Sequence, residues 1–393
     1  PFSIESCGFS KTCFYAEYDE GFGRLPAHHA GMFYSQEPSA SSAVEALDPQ
    51  PGERILDLCA APGGKATQIA GRLRGSGLVW ANEVVRGRTG ALLSNMERMG
   101  AAEAVVSCCH PKTLCLGLRG FFHRVLVDAP CSGEGMFRRD PEAISQWSPE
   151  AAGACATRQL AILDCAAKAV GDEGVLVYST CTFSKEENED VAAEFLRTHP
   201  GFVAERIQAD FGRPDLAGGL GRRIYPMDGG EGHFVARFRR VGENPCRAGA
   251  FRGYLAKKQS AEAEELYQSL FTGRAIGGRL VRHRDCVLVA PEDLPELAGL
   301  GVLRAGVELC YEKSGRLEPA HGAFMAHSGE ECRVKLEPES EELMRFLRGE
   351  EICAPQDTRG YAAVCVDKVT MGFGKASAGR LKNRYPKGLR NLK

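Results

Sequence analysis

The feature that most constrains this chain is an alternation. Between about residues 52 and 240, short apolar runs rich in β-branched residues exchange with segments of helical periodicity. The runs are Arg54–Leu58, Leu78–Asn82, Ala104–Val106, Arg124–Val127 and Gly174–Tyr178. Lys65–Leu73, Arg86–Met99 and Ser148–Val170 lie between them and carry apolar residues at helical spacing. Strands that alternate with helices must cross over to pair in parallel, so the pattern predicts a doubly wound α/β domain with a mostly parallel sheet. Phe202–Ile207 and His233–Arg239 read as two more strands, with a long Gly-rich insertion between them.

The rest of the chain is organised differently. Residues 241–260 are polar and read as a linker after a first domain of residues 1–240. A mixed region, about 261–335, carries a predicted helix at 261–271 and strands near 286–290 and 307–311. A last small α+β unit, 336–393, carries a predicted helix at 340–348 and a strand at Ala362–Val366. The chain opens on Pro1 rather than methionine, so a longer parent chain is expected.

Charge argues by placement, not by sum. The formal net charge is only -2, but after Asp367 there is no acidic residue. Lys368, Lys375, Arg380, Lys382, Arg384, Lys387, Arg390 and Lys393 are all basic. Such a run is either a solvated tail or a surface for phosphates. The 16 cysteines include no Cys-x-x-Cys pair, so neither a zinc knuckle nor a thioredoxin-type site is expected, and no metal. With no apolar run near the length of a membrane span and no signal peptide, the reading is a cytoplasmic protein with reduced thiols and no membrane partner. Cys165, Cys286, Cys310 and Cys365 sit in apolar runs and are expected as small buried hydrophobes. Trp80 and Trp147 are expected as packing residues.

Two sets of residues at predicted strand ends carry the chemistry. The first strand ends in Asp57-Leu58-Cys59-Ala60-Ala61-Pro62-Gly63-Gly64-Lys65, and a helix follows. Ligands of such sheets bind at the carboxyl ends of the strands, where small residues let backbone approach closely. A Walker A loop would need Gly at position 59 and Ser or Thr at 66; Cys59 and Ala66 stand there. A Gly-x-Gly-x-x-Gly dinucleotide loop is absent. An S-adenosylmethionine loop fits best, with Glu83 at the second strand end placed to accept from ribose hydroxyls.

The fourth and fifth strands end in Asp128-Ala129-Pro130-Cys131-Ser132-Gly133 and Ser179-Thr180-Cys181-Thr182. Both cysteines therefore fall on the rim that carries the loop. Ser184-x-x-Glu187 reads as a capping box that opens a helix just after Cys181, and a nearby helix N-terminus favours a thiolate. Position alone does not say which cysteine attacks.

These stretches together resemble the RNA cytosine-carbon-5 methyltransferase family. The resemblance rests on Leu56-Asp-Leu-Cys-Ala-Ala-Pro-Gly-Gly-Lys65, Ala81-Asn-Glu83, Val127-Asp-Ala-Pro-Cys-Ser-Gly-Glu-Gly135, Tyr178-Ser-Thr-Cys-Thr182 and Glu186-Glu-Asn188, and spans about residues 25–240. His29–Ser39, Gly133–Glu142 and Gly379–Arg390 are similar to the bacterial branch that methylates small-subunit (16S) ribosomal RNA, the last to its PUA-like RNA-binding module. That branch carries a helical N-terminal RNA-binding region that this chain is expected to lack. The resemblance implies a class I, Rossmann-like methyltransferase fold closed by a terminal hairpin, S-adenosyl-L-methionine as cofactor, and small-subunit ribosomal RNA or the assembling 30S subunit as partner, met by a monomer.

The resemblance also implies roles. Cys59, Ala60, Ala61, Pro62, Gly63, Gly64, Lys65, Glu83, Arg88 and Asp128 would line the cofactor pocket. Cys181 would add to cytosine carbon 6 and make carbon 5 enamine-like. Cys131 would help resolve the adduct, Asp128 would bond cytosine nitrogen 3, and Lys65 would reach the base. DNA cytosine methyltransferases attack with the cysteine in the Cys131 position, but they lack the Thr180-Cys181 motif. The chain departs from the family after the third strand, where Ser107-Cys108-Cys109-His110 replaces the usual Asp or Asn; His110, eighteen positions ahead of Asp128, is the candidate for the adenine.

Arg138, Arg139 and Tyr385 are candidate RNA-backbone contacts. His28 and His29 could form a catalytic pair but more often pack or cap. Two competing readings are an RNA-binding assembly factor without catalysis, against which the intact cysteine pair argues, and a small-molecule methyltransferase or dehydrogenase, against which the basic C-terminal unit argues.

Overall fold

The computed structural model describes residues 3–17, 21–208, 210–251, 253, 255–283, 285–327 and 332–390, so Lys393 of the basic run lies outside the described residues. A hairpin, β1 (Ile4–Ser6) and β2 (Phe14–Ala16), and helices α1 (Pro26–His29) and α2 (Ser42–Leu47) lead in. The predicted alternation follows as β3 (Arg54–Asp57), α3 (Gly64–Leu73), β4 (Leu78–Asn82), α4 (Thr89–Arg98), β5 (Ala104–Ser107), α5 (Pro111–Gly117), β6 (Phe122–Asp128), α6 (Pro141–Gln146), α7 (Pro149–Ala169), β7 (Val170–Thr180) and α8 (Glu189–Thr198). Strands β8 (Phe202–Ala204), β9 (Arg213–Pro214), β10 (Arg222–Ile224) and β11 (His233–Arg240) close this part.

Farther on come α9 (Lys257–Leu270), β12 (Arg279–His283), β13 (Cys286–Ala290), β14 (Val302–Ala305), β15 (Val307–Lys313), β16 (Arg316–Pro319) and α10 (His321–Met325). The last unit holds β17 (Val334–Leu336), α11 (Glu341–Arg348), β18 (Ile352–Cys353), β19 (Gly360–Val366), β20 (Val369–Ser377) and β21 (Arg380–Asn383).

The main sheet runs β14-β5-β4-β3-β6-β7-β11-β10-β9, with β8 also on β11. Strands β5, β4, β3, β6 and β7 are parallel, and β11 returns antiparallel to β7. This is the doubly wound sheet with a terminal antiparallel strand. The alternation of side chains explains its two cores. Leu56, Trp80, Val105, Val125, Val127 and Leu176 face α5 and α7, where Leu114 and Leu163 meet them. Their chain neighbours Ile55, Val79, Val106, Leu126 and Val177 face Val44, Ile69, Leu92 and Met96 on α2, α3 and α4. Both faces being covered, the central strands read as continuous apolar runs.

The sequence assigned residues 261–335 to a region of their own. One strand of it, β14, instead extends the main sheet antiparallel to β5. The predicted linker is also fastened at its start. Asn244 is buried and its amide donates to the carbonyls of Lys168 (3.0 Å) and Val170 (2.7 Å), satisfying groups a free linker would leave to water. The remaining strands form a sheet β12-β13-β15-β16 and a five-stranded sheet β17-β19-β20-β21-β18.

Three smaller expectations are corrected. Trp80 is buried and donates to Ser107 Oγ (2.8 Å), but Trp147 is 39% exposed and reaches Glu134. The thiols are not all reduced: the pairing of β17 beside β19 brings Cys332 and Cys365 together as a disulfide, while the other 14 cysteines are free. Tyr385 is only 2% exposed, with its hydroxyl 2.9 Å from His29 Nδ1, so it seals the C-terminal unit against the lead-in rather than facing RNA. That contact gives His29 a packing role, and His28 stacks edge-on against Phe33.

Candidate active site

The order of the sheet reverses between β3 and β6, and the crevice at such a reversal is where doubly wound sheets bind ligands. The two strands that flank it end in Asp57 and Asp128. Asp57 is 1% exposed and neither carboxylate oxygen has a hydrogen-bond partner. Burial, then the charge of Asp128, pushes its pKa up to about 7. A buried acceptor without a donor is costly unless a bound group supplies one. Asp57 was not singled out in the sequence, although its place at the first strand end was the available signal.

The loop from Cys59 to Gly64 is held by its neighbours. Ala60 N donates to Asn82 O (2.8 Å), an Arg88 guanidinium nitrogen donates to Ala61 O (2.8 Å), and Asn95 donates to Pro62 O (3.0 Å). Gly63 takes a φ of 120°, closed to most side chains. At Gly64 a Cβ would lie 2.5 Å from Gln36 Oε1, so the smallness there serves the packing of the lead-in segment. Glu83 is buried at the end of β4; Oε1 accepts from Val85 N (2.8 Å) and Oε2 has no hydrogen bond, with Arg88 3.3 Å away as an ion-pair partner. Buried Asn82 ties β3, β4 and β5 together through Leu58 O, Cys109 O, Cys109 N and Ser107 Oγ. His110 is exposed, three residues past β5, and its Nδ1 caps α5 by accepting from Lys112 N (3.2 Å).

The predicted catalytic set converges. Cys131 Sγ and Cys181 Sγ are 3.3 Å apart. Lys65 Nζ is 2.8 Å from Asp128 Oδ2, and Ser179 Oγ donates to Asp128 Oδ1 at 2.7 Å. Burial alone would raise Asp128, but Lys65 and the hydrogen bonds hold it ionised, below its ordinary value. The Cys131 thiol donating to Cys181, helped by the Lys65 ammonium, holds Cys181 below an ordinary thiol against the opposing effects of burial and the Asp128 carboxylate. Cys131 is pushed well above by the same contact and by burial. Burial, then the neighbouring Asp57, also holds Cys59 well above the ordinary range, so it stays a protonated thiol. The site thus offers one thiol held below the ordinary range, one held above it and one oriented ammonium.

His233, at the start of β11, was missed. It is 3% exposed, its Nε2 is 3.8 Å from Asp128 Oδ1, and neither ring nitrogen has a hydrogen bond. Burial and Lys65 lower its pKa to about 4, so it is neutral. No local spacing marks it, because the sheet register alone brings it beside β7.

The expected capping box does not form. Ser184 Oγ accepts from Glu187 N (3.3 Å), but α8 begins only at Glu189, and the Glu187 carboxylate turns away to Ser132 N (3.0 Å), Ser132 Oγ (2.5 Å) and Gln159 (2.8 Å). The helix dipole is therefore not what lowers Cys181. Arg138 and Arg139 both pair with the buried carboxylate of Glu231, at 3.0 and 2.9 Å, and remain half or more exposed.

The chain is similar to known proteins. Residues 44–239 match the family described as 16S rRNA methyltransferase RsmB/F. Residues 263–326 match the RsmF rRNA methyltransferase first C-terminal domain, and 333–391 the methyltransferase RsmF PUA domain. Ribosomal RNA small subunit methyltransferase F of Klebsiella pneumoniae is 32% identical over 385 residues, covering 93% of this chain and 80% of that protein. Its namesake from Shewanella amazonensis is 32% identical over 386 residues, covering 93% and 81%. Among solved structures, NSun6 from Pyrococcus horikoshii with SFG has a TM-score of 0.52 and 30% identity, and the match spans 57% of each chain. A methyltransferase homolog protein from the same organism has a TM-score of 0.52 and 28% identity, over 61% of this chain and 79% of that one.

Proposed function

The chain belongs to the RsmB/F family of 16S rRNA methyltransferases, and on that premise we propose that it methylates carbon 5 of a cytosine in small-subunit ribosomal RNA through a covalent Cys181 adduct. The observation that carries this reading is the contact between Cys131 and Cys181, 3.3 Å apart beside the Lys65–Asp128 pair. A methyltransferase acting on an already nucleophilic atom has no use for two thiols at the base pocket. Carbon 5 of cytosine is too weak a nucleophile alone, and a thiolate supplies what it lacks.

The residues fit S-adenosylmethionine, of which SFG is an analogue. Asp57 and Glu83 each keep a buried acceptor oxygen without a hydrogen bond, suited to the ammonium and hydroxyl groups of that cofactor. The 59–64 loop, Lys65, Arg88 and Asp128 would complete the pocket, and His110 has its Nε2 left for the adenine because Nδ1 is spent on capping. When bound, the cofactor supplies an electrophilic methyl group on a sulfonium.

The protein's own residues do the rest. Cys181 Sγ forms a bond to carbon 6, the double bond between carbons 5 and 6 opens, and its electron pair becomes available at carbon 5. Asp128 is held ionised, so the donor for cytosine nitrogen 3 is the Lys65 ammonium that Asp128 orients. Carbon 5 takes the methyl group and must then lose its proton. Bonding to carbon 6 ends the hydrogen bond between Cys181 and Cys131, which was the chief influence raising Cys131. Cys131 then gives its proton to solvent, and its thiolate takes the proton of carbon 5. The double bond re-forms and Cys181 departs as a thiolate.

The target base must leave its stack to expose carbon 6. Lys375, Lys382 and Lys387 are exposed on the C-terminal unit and would hold RNA phosphates nearby, in the cytoplasm where ribosomal RNA is found. The test uses labelled S-adenosylmethionine and small-subunit ribosomal RNA. Cys131→Ala is expected to accumulate a protein–RNA adduct that survives denaturation, and Cys181→Ala to form neither adduct nor product. The reverse pattern would exchange the two roles; a wild-type protein that labels no RNA would favour an assembly factor.

A further inference from the structure

We propose that Glu187 is a positioning residue that fixes Cys131 where it can resolve the RNA adduct, with Glu134 bracing the opposite loop. The proposal rests on the function just given and adds to it the part that sets the reach of Cys131.

The two cysteines lie on separate loops, after β6 and after β7, and nothing in either loop alone fixes the 3.3 Å between them. Two carboxylates cross between the loops in opposite directions. Glu187, from the Cys181 loop, accepts from Ser132 N (3.0 Å) and Ser132 Oγ (2.5 Å) on the Cys131 loop. Glu134, from the Cys131 loop, accepts from Phe183 N (2.9 Å) and Thr182 Oγ1 (3.1 Å) on the Cys181 loop. Gly135 N completes the cross by donating to Cys181 O (2.8 Å), an approach so close that a Cβ at Gly135 would lie 2.9 Å from that oxygen.

Glu187 brackets Cys131 on both sides. Gln159 donates to the carbonyl of Pro130 (3.1 Å) and to Glu187 Oε2 (2.8 Å), so the residues before and after Cys131 are tied to one carboxylate, directly or through Gln159. Gln159 is held in turn by the Tyr178 hydroxyl, 2.9 Å from its Oε1. Glu187 is completely buried, and among the described residues no Lys, Arg or His forms an ion pair with it. A buried carboxylate without a cation is an expensive brace if stability is all it provides. Its use is that one group offers several acceptor sites, and so fixes two donors of Ser132 and the Gln159 amide at once. Its charge also opposes ionisation of Cys131 in the resting site.

The decisive variant is Glu187→Gln. The carboxamide keeps the volume but has a single acceptor oxygen, so Ser132 or Gln159 loses its partner. In single-turnover reactions the first methyl transfer should be slowed no more than in Cys131→Ala, because Cys181 is braced separately by Glu134. Release of methylated RNA should slow about ten-fold or more, and the denaturation-resistant adduct should accumulate as in Cys131→Ala. Combining Glu187→Gln with Cys131→Ala should slow release no further than Cys131→Ala alone, since both remove one function. The Cys181 alkylation rate should fall no further in the double variant than in Cys131→Ala alone, a readout that general loosening of the site would move.

Slow turnover without adduct, or effects that multiply in the double variant, would overturn the proposal. If Glu187→Gln does not fold, Ser132→Ala, which removes only the hydroxyl bond, should give a smaller adduct excess, and its absence would overturn the proposal equally. Failure of Cys131→Ala itself to trap an adduct would instead overturn the reading of function on which this rests.

Discussion

Lys65 Nζ and Asp128 Oδ2 are 2.8 Å apart and reach each other across the reversal of the sheet. Lys65 stands in the first turn of α3, after β3; Asp128 ends β6. The pair places both a carboxylate and an ammonium beside Cys181, and Lys65 offsets part of the rise that burial and Asp128 impose on that thiol. Removing the ammonium in Lys65→Met should raise the Cys181 pKa. The pH midpoint of Cys181 alkylation by iodoacetamide should rise, and the rate at neutral pH should fall accordingly. An unshifted midpoint would show that Cys131 alone activates Cys181.

Asp57 makes stability depend on pH in an unusual direction. Its folded pKa of about 7 lies above the ordinary value of 3.8, so the folded state holds a proton that the unfolded state has lost across that interval. Stability from this group therefore falls as pH rises from about 4 to about 7. The melting temperature of Asp57→Asn relative to wild type should move in favour of the variant between pH 5 and pH 8. The same variant should bind S-adenosylmethionine more weakly by calorimetry, since an acceptor is exchanged for a donor-bearing amide.

Arg223 and Glu189 form a pair only 2% and 1% exposed, with guanidinium–carboxylate distances of 2.7 and 2.5 Å. Arg223 also donates to Phe183 O (2.9 Å), tying β10 and the start of α8 to the Cys181 loop. Glu189→Ala leaves a buried cation unpaired and should cost about 3–5 kcal/mol in chemical denaturation. A loss below 1 kcal/mol would mean that the guanidinium finds water.

Glu97 joins the parallel-sheet domain to the C-terminal region through His321 (2.8 Å) and Arg304 (3.4 Å). Burial would raise Glu97, but these partners hold it below its ordinary value of 4.5. A depressed carboxylate stabilises above its unfolded pKa, and that contribution is lost as pH falls through the folded pKa. The stability difference between wild type and Glu97→Gln should therefore be full at pH 6 and shrink below pH 4.5, measured by thermal melts.

Much of the site was legible because strand ends are legible. Asp128, Cys131 and Cys181 follow apolar runs directly, and a parallel sheet must bring neighbouring carboxyl ends to one rim. What misled were local rules applied where tertiary partners compete. Ser184 and Glu187 have the spacing of a capping box, but Ser132 outbids the helix for the carboxylate. Arg138 and Arg139 stand side by side in the sequence, but that spacing does not disclose that both pair with Glu231.

By itself the sequence determined the period of each segment, and with it the parallel sheet, its two apolar faces and the rim on which the loop and both cysteines stand. Periodicity is a property of the local chain, and burial of both sheet faces leaves few alternatives. Tertiary structure alone decided the distances that chemistry depends on. The 3.3 Å between Cys131 and Cys181, the isolation of Asp57, the approach of His233 to Asp128 and the sealing of Tyr385 against His29 join residues far apart in the chain. Such contacts depend on how loops and domains dock, where each donor and acceptor chooses among all the partners the fold presents, not among its neighbours in sequence.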